Sequence, residues 1–254
     1  MGNYNERLNK LFNEWEEKSK ENGQSGFCRD GLLFRGENWE KDIYRGKSAG
    51  DEDALWQQAP KRILFLLKDT NNNPDCDIRE FRPGANGTAV LHYKNIAYWL
   101  FGLLSFDENR VAPDFEEIDF WNDAFPLFDT TSFAIANCKK ESGSSTISNE
   151  KLSKHIEDYA DFIKQEIEIL DPDIIVCGGG SSIIKDFVKE NIYTDIERVN
   201  SWIYYSKQHN KVVINSYHPS YGYIKGGSKT IYQNMMSAYK EFLDKHPEFL
   251  KPCR

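Results

Sequence analysis

The stretch Arg62-Ile63-Leu64-Phe65-Leu66-Leu67-Lys68-Asp69-Thr70-Asn71-Asn72-Asn73-Pro74 decides the fold. Ile63 to Leu67 is a short unbroken apolar run, the pattern of a strand covered on both faces rather than wet on one. Polar turn formers and a proline end it at once. The pattern returns near the other end of the chain. Lys211-Val212-Val213-Ile214-Asn215 runs into Ser216-Tyr217-His218-Pro219-Ser220. In an open α/β sheet, ligands bind outside the carboxyl ends of parallel strands. The two polar segments are therefore expected at one edge of one sheet.

Two further strands fit between them. Ser132 to Ala136 ends at Asn137-Cys138-Lys139-Lys140, and Asp173 to Cys177 turns through Gly178-Gly179-Gly180-Ser181-Ser182. Trp202 to Ser206 reads as a hairpin partner of the last strand. Helical patterns cover 4–21, 91–104 and 181–190. The clearest helix places Leu152, Ile156, Tyr159, Ile163, Ile167 and Leu170 on one face, and Asp171-Pro172 stops it. Ser228 suits the N-cap of a final helix through about 243. Alternating strands and helices with near-continuous apolar strands predict a three-layer α/β/α domain with a mostly parallel central sheet. No repeat and no second domain is evident in 1–254. Residues 1–60 read as an N-terminal helical extension packed on that domain, and 27–60 are hard to assign.

The chain has 254 residues, 39% of them hydrophobic and 28% charged, which predicts an ordered globule. No stretch approaches the roughly 20 apolar residues that span a bilayer. Residues 1–21 are polar, without an apolar leader core. These features predict a soluble, cytoplasmic protein with no membrane partner. The net charge of −8 argues against a general nucleic-acid coat protein but leaves room for a local basic groove. The five cysteines Cys28, Cys76, Cys138, Cys177 and Cys253 are widely spaced, with no C-x-x-C pair. Reduced thiols are expected, Cys177 buried in a strand.

Asp69, just past the first strand, suits a water-orienting or general-base carboxylate, although Asp is also a common turn former. Asn71 in the following loop and Asn137 at the second strand end each offer a donor and an acceptor, enough to read a pyrimidine edge. Ordinary turn and strand-end roles are the commoner ones for such residues. Lys139 and Ser220 are placed to meet phosphates. Pro219 biases His218 toward an extended backbone, where its imidazole can donate to a developing oxyanion. Tyr221 to Lys229 reads as a glycine loop, and Tyr221, Lys225 and Lys229 could wedge into a duplex and hold its phosphates. Gly178 to Ser182 matches no phosphate-loop signature, and Ser181 lacks the G-x-S-x-G context of a hydrolase nucleophile.

In this order the segments resemble the uracil-DNA glycosylase superfamily. Leu67-Lys68-Asp69-Thr70 stands where that family often has Gly-Gln-Asp-Pro, and Tyr217-His218-Pro219-Ser220 matches its H-P-S motif. Asn137-Cys138-Lys139-Lys140 is similar to the segment whose asparagine reads uracil. Leu170 to Gly179 resembles the helix-Pro-strand-Gly stretch that follows. The likeness covers about 62–240. It implies a glycosidic-bond hydrolase acting on uracil or a related base in DNA. Asp69 would orient water, and His218 and Asn137 would hold the base. Neither metal nor cofactor would be needed. Leu67 and Thr70 depart from the family's Gly and Pro, and such departures fit equally a non-catalytic relative that binds a nucleotide, nucleic acid or protein.

Overall fold

A computed structural model describes residues 3–40, 43–70, 75–80, 91–106, 111–144 and 146–250. The chain opens with α1 (Tyr4–Glu21), whose Leu8, Leu11, Phe12, Trp15 and Ser19 recur at three- and four-residue spacing and are buried. Next come β1 (Gly31–Leu32), the hairpin β2 (Gly36–Glu40) and β3 (Ile43–Lys47), and α2 (Glu52–Gln58). The expected first core strand is β4 (Ile63–Asp69), followed by α3 (Leu91–Leu104), the short α4 (Leu127–Thr130) and β5 (Ala134–Lys139). Helices α5 (Asn149–Asp158) and α6 (Ala160–Leu170) precede β6 (Ile174–Gly178) and α7 (Ile183–Asn191). The chain continues with β7 (Glu197–Arg198), β8 (Ile203–Ser206), β9 (Lys211–Ser216) and α8 (Gly227–Lys245).

Seven strands form one sheet in the order β1-β5-β4-β6-β9-β8-β7. The central four, β5, β4, β6 and β9, are mutually parallel, while β1 pairs antiparallel with β5 at one edge and, at the other, β8 pairs antiparallel with β9 and β7 antiparallel with β8. The parallel strands are apolar on both faces because each face has its own core. Ile63, Phe65 and Leu67 of β4 join a cluster with Ile96 and Trp99 of α3 and Met235 and Phe242 of α8. Leu64 and Leu66 face a second cluster built from Phe12 and Trp15 of α1, Ile163 and Ile167 of α6, and Val188 of α7. Fully burying one such side chain contributes about 1.5–3 kcal/mol, so this alternation pins the strand register.

Several expectations are corrected. The long helix over 152–170 is two helices, broken at Tyr159, whose backbone leaves the helical region at φ −124° and ψ 20°. Helix α6 stops at Asp171, which takes a left-handed φ of 43° just before Pro172. The N-cap of α8 is Gly226, not Ser228, because φ there is 87°, a conformation that favours glycine. The first 60 residues are not purely helical: β1 extends the main sheet by pairing with β5. Among the described residues no helix is long and apolar enough to cross a membrane.

The cysteines also differ from expectation. Cys28 and Cys76 form a disulfide, their Cα atoms 4.6 Å apart. They meet because the Arg29 N–H donates to the Cys76 carbonyl at 2.9 Å and the Ile78 N–H donates to the Arg29 carbonyl at 2.7 Å. Linear spacing of the cysteines cannot reveal that pairing. Cys138 and Cys177 remain free and buried, and burial raises both thiol pKa values, which suppresses their reactivity. Cys253 lies outside the described residues.

Candidate functional site

The register places four strand ends at one level. Leu67 of β4 pairs with Gly178 of β6, and Gly178 pairs with Ser216 of β9. On the other side, Asp69 pairs with Lys139 of β5. Asp69 and His218 therefore each stand two residues beyond one common rung, at the same end of the sheet. One strand separates β4 from β9, so their axes lie about 10 Å apart.

Gly178 sits between them for a steric reason. A Cβ there would collide with Leu67 Cδ2 and approach Pro219 Cδ to 3.2 Å. Glycine lets the first strand end and the Tyr217-His218-Pro219 segment close over the middle strand. From the opposite layer, the buried Asn95 of α3 donates its side-chain amide to the Pro219 carbonyl at 2.6 Å, fixing the segment from above.

His218 is partly buried. The Ser220 N–H donates to its Nδ1 at 3.2 Å. With Nδ1 an acceptor, the neutral ring carries its proton on Nε2, which becomes a donor. Burial, reinforced by the nearby Lys68 ammonium, lowers the His218 pKa to about 4, so the ring is neutral at pH 7. His92, at the start of α3, lies with its ring centroid 5.5 Å from that of His218, and its Nδ1 is 3.4 Å from Ser220 Oγ. Burial first, and His218 second, push the His92 pKa to about 3. A neutral imidazole donor in a poorly solvated place stabilises negative charge that develops during a reaction.

Asn137 is buried within β5, and its environment differs from that of an open reading head. Its backbone N–H and its side-chain amide both donate to Asp30 Oδ2, at 2.7 and 3.2 Å. Asp30 Oδ1 accepts from Lys140 Nζ at 2.5 Å, and Lys140 also donates to Glu166 Oε2 at 2.7 Å. All three charged side chains are buried. Burial disfavours the Lys140 charge, but Asp30 and Glu166 outweigh it and raise its pKa. Burial and the Asp30 charge raise the Glu166 pKa.

Lys139 Nζ donates to the carbonyls of Glu141 and Ser142, and burial lowers its pKa although Glu141 and Asp69 pull the other way. Tyr221 stacks on Tyr217 with centroids 5.0 Å apart and planes 7° apart. Next to it Tyr223 is 93% exposed. Lys225 is exposed, whereas Lys229 is paired with Glu116. Asn71 lies outside the described residues. The structure thus brings Asp69 and Lys139 to one part of the edge and His218, Ser220 and Tyr221 to another, with Gly178 between them. The Asn137 amide nitrogen is turned to Asp30, and Lys229 to Glu116.

Sequence reasoning missed His92, Asn95, Lys68 and Asp30. Asn95 carried a signal, being a lone amide in an apolar aromatic helix. Asp30 falls in the stretch 27–60 that the sequence leaves hard to assign. The Gly178 to Ser182 turn closes on protein, the Gly180 N–H donating to the Ser216 carbonyl at 3.0 Å. Among the described residues no group of His, Cys, Asp and Glu gathers as a metal centre requires. No protein-family model matches this sequence, and no curated protein matches it. The geometry of the site alone bears on function.

Proposed function

We propose that this chain is a base-excising hydrolase of the uracil-DNA glycosylase type, with that family's three-layer arrangement, acting on uracil or a related damaged pyrimidine in DNA. The supporting observation is His218: a neutral imidazole, its Nε2–H available as donor, held at the same sheet end as Asp69. A flipped base between them would meet a carboxylate on the sugar side and a donor on the base side, at an unstacking cost of a few kcal/mol. Asp69 orients a water toward the anomeric carbon. The carbon–nitrogen bond breaks, the water oxygen joins the sugar, and the base departs as an anion that His218 stabilises before it takes up a proton. Tyr221, Tyr223 and Lys225 form the exposed rim that would meet the strand.

The test is release of free uracil from single- and double-stranded oligonucleotides by the wild type, Asp69→Asn and His218→Ala. Excision by the wild type, cut by about a hundredfold or more in each variant, is expected. Absence of excision from either substrate over a range of salt removes the reading for uracil.

A second reading has its own support. The Asn137 amide nitrogen is occupied by Asp30, Lys229 by Glu116, and the net charge is −8. These favour a non-catalytic relative that binds a nucleotide, nucleic acid or protein. Equal binding of uracil-containing and ordinary oligonucleotides without cleavage distinguishes it.

A further inference from the structure

The buried charge cluster at the β5 end holds more than a structural ion pair needs. Lys140, Asp30 and Glu166 are 0%, 0% and 1% exposed. Lys140 Nζ lies 2.5 Å from Asp30 Oδ1 and 2.7 Å from Glu166 Oε2. The rings of Trp15 and Phe12 close over it, their centroids 5.0 and 5.2 Å from Nζ. One cation thus faces two carboxyl groups away from solvent, and ionising both would leave an uncompensated buried charge. Burial first, and the Asp30 charge second, hold Glu166 well above the ordinary carboxylate range, so it keeps its proton. Its Oε1 makes no hydrogen bond.

The two oxygens of Asp30 are treated differently. Oδ2 accepts the backbone N–H of Asn137 at 2.7 Å and its side-chain amide at 3.2 Å, whereas Oδ1 faces the lysine. Two donors aimed at one carboxyl oxygen stabilise the oxyanion that forms when a nucleophile attacks the carbon. A desolvated lysine amine is such a nucleophile once it loses its proton. The pair Lys211–Asp171 shows the contrast. It is as close, at 2.6 Å, but Asp171 is 53% exposed and its charge is solvated.

We infer that Lys140 and Asp30 become joined by an intramolecular amide bond, Nζ to Cγ, which the folded chain forms on its own side chains with loss of one water. The ion pair is the precursor. Its ammonium passes a proton to Asp30 Oδ1 across the 2.5 Å contact, leaving a neutral amine beside a neutral acid, a pair that burial favours over separated charges. Nζ attacks Cγ, and the negative charge gathers on Oδ2 between the two Asn137 donors. Glu166 gives its proton to the departing Oδ1 hydroxyl and takes one from the nitrogen, so it ends as it began. The bond formed is Nζ–Cγ, the bond broken is Cγ–Oδ1, and no other reactant is needed. Fixed contact between amine and acid replaces the activation that such a condensation otherwise requires.

The bond would tie the residue before β1 to the residue after β5 across 110 positions. It does not rest on the proposed function.

The test is the mass of the full chain, unfolded and reduced after purification in the folded state. The wild type is expected one water lighter than its sequence, and Glu166→Gln at its full sequence mass. Trypsin should then release Asp30–Arg35 joined to Lys140–Lys151 as one branched peptide. A wild type at its full sequence mass overturns the inference. So does loss of water with Asp30–Arg35 recovered unlinked, since Asp30 followed by Gly31 can instead close on its own backbone as a succinimide. The wild-type mass and digest decide the matter even if Glu166→Gln fails to fold.

Discussion

Asp30 Oδ2 accepts two hydrogen bonds from Asn137, one from its backbone and one from its side chain, while Oδ1 accepts from the buried Lys140. One carboxylate thus fixes the amide of a strand-end residue and neutralises a buried ammonium. Removing its charge leaves Lys140 with Glu166 alone. Breaking a buried ion pair by deleting one partner costs about 3–5 kcal/mol. Asp30→Asn should therefore unfold at distinctly lower urea than the wild type. A loss below about 1 kcal/mol would show that Lys140 is not charged in the folded chain.

Gly178 and Gly180 separate steric from conformational demands. Gly178→Ala puts a Cβ against Leu67 and Pro219, and overpacking of this kind costs about 1–3 kcal/mol. Gly180→Ala meets no atom within 4 Å but must hold φ at +65°, at about 1 kcal/mol. Under the proposed function Gly178→Ala also displaces His218 and lowers excision, whereas Gly180→Ala spares it. Assays of stability and excision side by side check both halves.

Acid should destabilise the fold through its histidines. Burial, the leading cause in each, lowers His155 to about 4, His218 to about 4 and His92 to about 3. In the unfolded chain histidine titrates near 6.5. Between these values the unfolded state binds more protons, so stability rises with pH. Their contribution is complete above about pH 6.5 and is lost as pH falls toward 4. Glu166, raised by burial, works in the opposite sense. Urea melts from pH 7.5 to 4 should show the decline. His155→Gln should flatten the slope by up to ~1.4 kcal/mol per pH unit; an unchanged slope would mean that His155 takes up its proton without unfolding.

The Cys28–Cys76 disulfide closes a loop across 48 positions. On the chain-entropy account such a cross-link stabilises by about 4 kcal/mol. Thiol reductant, or Cys28→Ser with Cys76→Ser, should lower the melting temperature by a matching amount. The hydrogen bonds of Arg29 to Cys76 and Ile78 persist without the cross-link, so the fold should survive. Identical melts with and without reductant would show that the bond is not formed in solution.

If the chain binds nucleic acid at its rim, Lys225→Ala should weaken oligonucleotide binding across sequences and reduce the salt slope by about one. Lys229→Ala should do less, because Glu116 already neutralises Lys229. Equal salt slopes for wild type and Lys225→Ala would place the contact elsewhere.

Much of the sheet was legible because parallel strands covered on both faces are apolar throughout. Ile63 to Leu67 and Val212 to Asn215 needed no partner to be recognised. Helices α1 and α3 were legible from amphipathic spacing and aromatic content, and both fall on the expected residues. Residues 27–60 resisted because β1 is two residues long and takes its identity from β5, over a hundred positions away. The site was legible only where a side chain follows a strand end, as Asp69 and His218 do. Asp30 acts through Asn137 and Lys140, and Asn95 through Pro219. Such roles exist only after folding and leave no local mark. The break at Tyr159 was hidden because the buried stripe continues from α5 into α6 across it.

The sheet ends in pairs of residues on both flanks, Gly31–Leu32 on one and Glu197–Arg198 on the other. Neither flank offers a neighbouring molecule a long ribbon to extend, and the second carries charges of both signs in the open. Brief, charged margins of this sort keep β proteins from zipping together edge to edge. Edge-to-edge pairing of this sheet between copies of the chain is therefore disfavoured even at high concentration.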